Sequence, residues 1–383
     1  MKRVLLVGCG GYGAGYVEEL VRREKELGVK LAGIADPYAE ASRVWELIRE
    51  KEIPVCRTPA EFYGKDRAEI AVVATPIQLH RRQAEEVMKN GSDLLLEKPI
   101  AGSARDAEAI LAVRDETGRK LSIGFQWCFN PEMLRLKSDA DAGRFGKLLS
   151  MKALVLWPRD FAYFNRGTRW AGTRYAPDGT AVFDSIASNA TAHYLFNMLW
   201  LSGKGYGASG ARLSGFLAGR ANPIETFDTA VLEGETEDDV PFFFAASHAV
   251  SPEERQDPVF LYRFERATVT FGEDAGRPTA LLAHFENGET VDYGDSDNNG
   301  LGQKLAPVFR YFAGEGENFC PGEAAVKHIR LLEEMWRDRA EMPFFRPESI
   351  VNTGEMVYVK GLASLLRRAY EEAALPPKEA WPV

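Results

Sequence analysis

Cysteine is scarce in this 383-residue chain, and Cys9, Cys56, Cys128 and Cys320 lie scattered without a CxxC pair or a zinc spacing. That pattern predicts thiols in a reducing compartment and no structural or catalytic metal. Long apolar runs are missing too, with no segment near the roughly 20 residues a membrane-spanning helix requires. The opening "MKRVLLVGCGGYG" has one short apolar run leading straight into glycines, with neither the apolar core nor the cleavage site of a secretory signal, and reads as a first strand. A cytoplasmic protein without a membrane partner is therefore expected. Also absent is any lysine/arginine block long enough to follow a phosphate backbone, and the formal net charge is −9. Nucleic acid is excluded as a partner on that ground. Neither an internal repeat nor a low-complexity tract is present.

What is there fits a soluble globular protein: 45% hydrophobic and 27% charged residues. The length suggests two unequal domains at a prior of roughly 100 to 200 residues each. Over the first 125 residues, "RVLLVG", "KLAGIAD", "EIAVVAT", "DLLLE" and "KLSIGF" alternate with amphipathic segments. This is the rhythm of βαβ units on a parallel sheet. Gly13 to Leu27 and Gln78 to Asn90 are helical in spacing, and Ser103 and Gly118 cap a further helix. Beyond Phe125 the pattern changes. A helical "NPEMLRLKSDADAGRFG" and a long strand "KLLSMKALVLW" precede several strands between Ala211 and Val291, among them a hairpin turned at Asn287-Gly288. Amphipathic helices return from about Gly300 to Ala374. The expected architecture is a doubly wound Rossmann domain, residues 1–125, followed by an α+β domain, residues 126–383, with an open, largely antiparallel sheet.

Residues 7 to 13, "VGCGGYG", put Gly8, Gly10 and Gly13 in G-x-G-x-x-G spacing between the first strand and the first helix, with Gly11 and Tyr12 inside the loop. Gly8 permits the tight turn, Gly10 lets backbone approach a pyrophosphate, and Gly13 lets the helix lie close to the strand with its amino end aimed at the anion. The second strand ends in Asp36, about 20 to 25 residues beyond the last glycine, where a carboxylate can accept from ribose hydroxyls. Read alone, Asp36 is a capping acid before Pro37. With strand, loop, helix and acid in order, a dinucleotide is the expected ligand. An acid there repels a 2′-phosphate, so NAD is favoured; NADP would need an arginine from a later loop.

Residues 70 to 100, "IAVVATPIQLHRRQAEEVMKNGSDLLLEKPI", carry Thr75-Pro76, then His80, a helix, Gly91, a strand and Glu97-Lys98-Pro99. With the glycine loop, this resembles the glucose-fructose oxidoreductase/inositol dehydrogenase/MocA (Gfo/Idh/MocA) family of NAD(P)-dependent enzymes. About 150 residues resemble it closely, through "GFQWCFNPEMLRLK" and "GRFGKLLSMKALV", and the remainder in outline. The resemblance implies that Lys98 binds the substrate hydroxyl or carbonyl and relays its proton, with a frequently cis peptide before Pro99. It also implies that Thr75 and Pro76 border the cofactor, that Glu97 contacts its ribose region, and that His80 belongs to the same cofactor-binding set. Physical chemistry supports the lysine role, since burial lowers an ammonium pKa toward useful values whereas an arginine stays charged.

The second domain departs from the family, which supplies a Gly-Gly-x-x-x-Asp-x-Gly-x-His segment. Here Asp178 to Gly203, "DGTAVFDSIASNATAHYLFNMLWLSG", admits two registers. One sets Asp184 at the family aspartate; the other sets His193 at the histidine and Asn189 at the aspartate. On a continuous helix Asn189, His193 and Asn197 share one stripe, which favours the second, while Asp184 reaches the site if the preceding turn folds back. His193, among polar groups, is the acid/base candidate, with Asn189 or Asp184 orienting it and Asn197 as a substrate contact. Upstream, "WPRDFAYFNRGTRWAGTRY" gathers arginines and aromatics suited to stacking on a sugar ring or gripping a carboxylate. Arg166, Arg169, Trp170 and Arg174 are the candidates there. Cys128 stands where the family often has arginine after "GFQ".

The expected function is hydride transfer between nicotinamide and a polyol, inositol or sugar-like hydroxyl compound, with Lys98 and His193 handling the proton. A non-redox enzyme using NAD transiently, for elimination or glycoside hydrolysis, and a cofactor-sensing regulator without turnover are the alternatives. The antiparallel sheet is expected to leave a broad face that needs cover, which fits a homodimer or homotetramer.

Overall fold

The computed structural model describes residues 1–166, 170–272, 276–296, 300–337 and 341–383. The chain divides into two compact units, Met1–Asn130 with Asn298–Val326, and Pro131–Asp297 with Lys327–Val383.

In the first unit the short apolar runs form six parallel strands: β1 (Lys2–Val7), β2 (Val29–Ala35), β3 (Val55–Cys56), β4 (Ile70–Val73), β5 (Asp93–Leu96) and β6 (Leu121–Ile123). Their spatial order is β3-β2-β1-β4-β5-β6. All four residues of β4 are buried, as a strand covered on both faces demands. The two-residue β3, too short to leave a periodic signal, extends the sheet beyond the strands expected. The order reverses between β1 and β4, and at such a switch point the carboxyl ends of strands open a ligand crevice. Gly8 follows β1, Asp36 follows β2, Thr75 lies just beyond β4, and Glu97 follows β5.

Helix punctuation follows local chemistry. Ser103 Oγ accepts from the Asp106 amide at 3.2 Å, and Gly118 closes that helix in the left-handed conformation. The Gly13–Leu27 segment forms two helices, Tyr12–Arg22 and Glu24–Leu27, because the chain bends at Arg23.

The first unit runs past the boundary expected at residue 125 and takes in a return of the chain. Helix Leu301–Ala313 packs against helix Tyr12–Arg22 and the turn Gln126–Phe129. It buries Leu305, Val308, Phe309 and Phe312, an apolar stripe at helical spacing.

The main sheet of the second unit is built from β7 (Leu148–Leu156), β8 (Ala211–Gly219), β9 (Thr229–Thr236), β10 (Pro241–Ser247), β11 (Gln256–Phe264), β12 (Ala267–Phe271), β13 (Ala280–Phe285) and β14 (Thr290–Asp295). They form one sheet ordered β14-β13-β12-β11-β7-β10-β9-β8, antiparallel except where β7 and β10 run parallel. The β13–β14 hairpin turns at Gly288, whose φ of 89° favours glycine.

Toward the β12 end, buried Ala267, Val269 and Phe271 alternate with half-exposed Thr268 and Thr270, the pattern of a sheet with one solvated face. At the centre both faces are covered. Helix Ala192–Ser202 packs on β7. Leu154, Leu156, Val231, Phe243 and Ala245 instead join Phe345, Val359, Leu362, Leu366, Tyr370 and Trp381 in one core. At its centre this face of the sheet is packed by the chain's own carboxyl-terminal segment, chiefly helix Leu362–Glu372. Among the described residues no helix is long and apolar enough to cross a membrane.

Leu366 is fully buried in this core. Leu366→Ala should destabilise the protein by about 2–5 kcal/mol in denaturant titration. Replacing exposed Glu372 by alanine should change stability by no more than about 0.5 kcal/mol.

Candidate active site

The glycine loop follows from close approach. Gly8 has φ 87°, and a side chain there would lie 2.9 Å from the Ala74 carbonyl oxygen. A β-carbon on Gly13 would collide with the Gly8 carbonyl, so the helix can lie against the strand only with glycine there. At Gly10 the same test meets nothing within 4 Å, which leaves one side of the loop clear for a pyrophosphate. Gly11 has φ 48° and precedes the helix, and Tyr12, at its first position, is 46% exposed. Asp36 braces this loop: one carboxylate oxygen accepts from the Cys9 amide and the other from the Tyr38 amide, each at 2.8 Å. Burial, with Asp36 alongside, pushes the Cys9 thiol up to about 12. Strand end, loop, helix amino end and carboxylate together fit a dinucleotide.

The loops after β4 and β5 are strapped to each other by His80. Its ring is buried; Nε2 lies 2.9 Å from the Thr75 carbonyl oxygen and Nδ1 lies 2.9 Å from that of Pro99. Both partners are acceptors, so a neutral ring satisfies one and an imidazolium both. Burial drives the His80 pKa down, while the two carbonyls and Glu97 push the other way. The ring is closed off from ligand, and its part here is to hold the backbone on either side. Thr75 Oγ1 donates to Gln83 Oε1. Lys98 is half-buried at the carboxyl edge of the sheet, and the Lys98–Pro99 peptide is cis.

Glu97 points inward. It is 7% exposed, pairs with Lys304 Nζ through Oε1, and accepts from the Tyr16 hydroxyl at 2.6 Å. Lys304, fully buried, also donates to the Tyr12 hydroxyl at 3.2 Å and to the Gly124 carbonyl at 3.3 Å. Burial alone lowers the pKa of this ammonium, but Glu97 and Tyr12 outweigh it and the net direction is upward. The carboxylate expected at the ribose is therefore engaged beneath the turn that presents Lys98.

In the second unit Asp184 and Asn189, one from each of the two registers, are bonded to each other. Asp184 Oδ1 accepts from Asn189 Nδ2 at 2.9 Å, and its Oδ2 accepts from the Gly172 amide at 2.7 Å. The helix begins at Ala192 with Thr191 as N-cap, so Asn189 lies in the preceding turn and does not share a helical stripe with His193. His193 is half-buried at the second helical position. Asn197, one turn on, is fully buried with neither amide atom hydrogen bonded, and reaches no solvent-accessible surface. Phe183, immediately before Asp184, has φ 45°, a left-handed conformation that a bulky residue adopts only where its surroundings impose it.

Arg166 stacks on Tyr163, its guanidinium carbon 3.7 Å from the ring centre, and lies 4.8 Å from that of Trp170. Arg174 lies over Phe183 and Trp336. Arg169 falls outside the described residues. His248, buried at the end of β10, donates through Nδ1 to the Trp157 carbonyl oxygen at 2.7 Å. Burial, reinforced by Arg159 and Arg166, drives its pKa down to about 3. No group of three or more His, Cys, Asp or Glu among the described residues is arranged to hold a metal ion.

Residues 2–125 match the family described as "Oxidoreductase family, NAD-binding Rossmann fold", GFO_IDH_MocA. The first unit carries the NAD-binding domain of the Gfo/Idh/MocA oxidoreductases. An inositol 2-dehydrogenase of Mycolicibacterium smegmatis is 33% identical over 151 residues, 38% of this chain and 42% of that protein. Another, from Rubrobacter xylanophilus, is 30% identical over 142 residues, 37% of this chain and 40% of that protein. The chain thus matches about two fifths of the length of these relatives. The WlbA dehydrogenase of Bordetella pertussis, solved with NADH and UDP-GlcNAcA, superposes with a TM-score of 0.70 at 20% identity, over 88% of this chain and 95% of that one. Aldose-aldose oxidoreductase of Caulobacter crescentus gives 0.69 at 17%, over 88% and 96%. At these identities the likeness is one of fold, and it extends across both units.

Sequence reasoning missed Lys304 beneath this Gfo/Idh/MocA domain's Glu-Lys-Pro turn. A usable signal existed: Lys304 lies on the stripe of Leu301, Leu305 and Val308, where a solvated lysine would be out of place. Lys304→Met should cost about 3–5 kcal/mol of stability by leaving Glu97 buried and unpaired, and adding Glu97→Gln should recover most of it in a double-mutant cycle.

His248 and His80 give a further expectation. Each has a folded-state pKa below its unfolded value near 6.5, so stability is full above pH 6.5 and falls as the solution is acidified. For His248 the loss should approach about 1.4 kcal/mol per pH unit well below pH 6.5, levelling off near pH 3. His248→Gln should remove that part of the slope in denaturation curves recorded across the range.

Proposed function

We propose that the chain is an NAD-dependent dehydrogenase acting on a CH–OH group of a polyol, inositol or sugar-like compound. The observation that carries this is Lys98, held at the carboxyl edge of an NAD-binding sheet between the buried Glu97 and Pro99, one strand from the switch point. The names of the relatives that share the domain, inositol 2-dehydrogenases, support the same substrate chemistry.

When bound, NAD supplies the nicotinamide that takes or returns a hydride. Lys98 holds the reacting hydroxyl and, through its amine form, takes up the hydroxyl proton as hydride leaves, a task a guanidinium, which stays protonated, cannot perform. Gly8, Gly10 and Gly13 seat the pyrophosphate, Asp36 the adenosine ribose, and Thr75 and Pro76 border the cofactor from the next strand. His80 and Glu97 act through others, as positioning residues of the two loops. In the second unit the Asp184–Asn189 pair and His193 are the candidates for orienting the substrate hydroxyls, with Arg166 and Trp170 as further substrate contacts. The four free thiols suit a reducing, cytoplasmic setting.

Lys98→Met should lower kcat by about 10²–10⁴-fold on a polyol or inositol substrate while NAD affinity stays near that of the wild type. Absorbance of reduced nicotinamide and calorimetric NAD titration measure the two. Turnover that survives the substitution would sink the proposed role. Tightly held NAD that turns substrate over with no net nicotinamide reduction would favour the elimination or hydrolysis alternative. Asp36→Ala should weaken NAD binding and narrow the preference for NAD over NADP.

A further inference from the structure

In the second unit Trp157 and Arg159 continue from the carboxyl end of β7 while His248 continues from that of β10, and these strands are the sheet's one parallel pair. Two backbone bonds keep the extensions side by side: the Trp157 amide donates to the Ser247 carbonyl at 2.9 Å, and the Arg159 amide to the His248 carbonyl at 3.2 Å. A short helix follows, capped by Asp160 Oδ1 accepting from the Tyr163 amide at 2.8 Å. Its Tyr163 ring serves two guanidiniums, with Arg159 Cζ 4.9 Å and Arg166 Cζ 3.7 Å from the ring centre. Trp157 lies 5.7 Å from Arg159 and Trp170 4.8 Å from Arg166, so each cation sits between aromatic rings.

Neither guanidinium is ion-paired among the described residues. The acids around them are engaged elsewhere. Asp257 pairs with Arg255 and accepts from the Trp157 indole. Asp160 caps the short helix, and Asp184 is taken by Gly172 and Asn189. Arg159 Nε is buried without a hydrogen-bond partner. His248 Nδ1 must be the protonated nitrogen, since it faces a carbonyl, which leaves buried Nε2 as a bare lone pair, also without a partner. Two uncompensated cations and an unmade acceptor, framed by aromatic faces, lack an anion and a hydroxyl.

We propose that Arg159 and Arg166 form an anion-binding element of the second unit, and that the substrate is a hydroxylated acid of sugar size, a uronate or aldonate. Its carboxylate is held by the guanidinium pair, a hydroxyl donates to His248 Nε2, and the carbon skeleton lies against the aromatic rings. Nitrogen donors without a counter-charge favour an anion over the neutral polyol of the same shape. This rests on the dehydrogenase reading and narrows its substrate class. Burial presses the Arg159 pKa downward, the direction expected of a cation whose partner has yet to arrive.

The test is calorimetric binding to the NAD-saturated full chain of two matched pairs, glucuronate against glucose and gluconate against glucitol, for wild type and for Arg159→Gln/Arg166→Gln. The acid of at least one pair should bind about tenfold or more tightly than its neutral partner in the wild type, and the double variant should lose that advantage. Arg159→Lys/Arg166→Lys, which keeps the charge without the planar fork, should retain part of it. Equal binding of acid and neutral partners, no binding of either acid, or an advantage that survives in the glutamine variant would overturn the proposal. Unchanged thermal unfolding of the variants separates loss of the site from loss of the fold. Because binding is read without turnover, acid selectivity with no nicotinamide reduction would sink the dehydrogenase reading and leave the anion site standing. Turnover of neutral polyols without acid preference would do the reverse.

Discussion

A carboxylate buried behind the edge of a parallel sheet must find a cation, and the first unit is organised around meeting that need. Glu97 follows β5 out of reach of solvent, and the ammonium that answers it, Lys304, is 207 residues away in sequence. An unpaired charge at that depth would be strongly destabilising, so the nucleotide-binding unit cannot close without helix Leu301–Ala313. The same ammonium reaches the hydroxyl of Tyr12, at the start of the helix that follows the glycine loop, and Tyr16, one turn on, donates to the same carboxylate. Glycine loop, Glu-Lys-Pro turn and return helix therefore stand or fall together.

This dependence explains which parts of the site were legible in the sequence. The glycine spacing and Asp36 obey local rules of turn geometry and strand-end chemistry, so Gly8, Gly13 and Asp36 fall where those rules put them. Lys98 stood out because it lies just beyond a buried strand. The partners that fix these residues were harder to read. His80 looks like a surface residue at a helix start, yet its ring spans two carbonyls whose positions depend on separate strands. Lys304 required the reader to take one misplaced lysine on an apolar stripe as a buried charge.

Helical periodicity misled at Asn189 because it presumed a helix already begun. The chain instead turns through Phe183 in a left-handed conformation and starts its helix at Ala192, which brings Asp184 and Asn189 into one hydrogen bond. Two registers looked exclusive only on a straight helix; a turn admits both residues. The sheet offers a parallel case. An open apolar face was inferred from strand pattern alone, while the residues that pack against its centre, Phe345 through Trp381, carry a helical pattern that says nothing of what it packs against.

The arginines of the second unit follow from the same logic in reverse. In the first unit a buried charge has its partner within the chain; at Arg159 the neighbouring acids are all committed, and the Nε proton meets nothing. A guanidinium can persist there because its planar faces rest on Tyr163 and Trp157, which stabilise the cation without satisfying its donors. Stacking keeps the donors aimed and desolvated before a ligand arrives, so less ordering remains to be done on binding. His248, kept neutral by burial and by the two cations beside it, adds an acceptor to a set otherwise made of donors. Charge alone would recruit any anion; the added acceptor is what asks for one that also carries a hydroxyl.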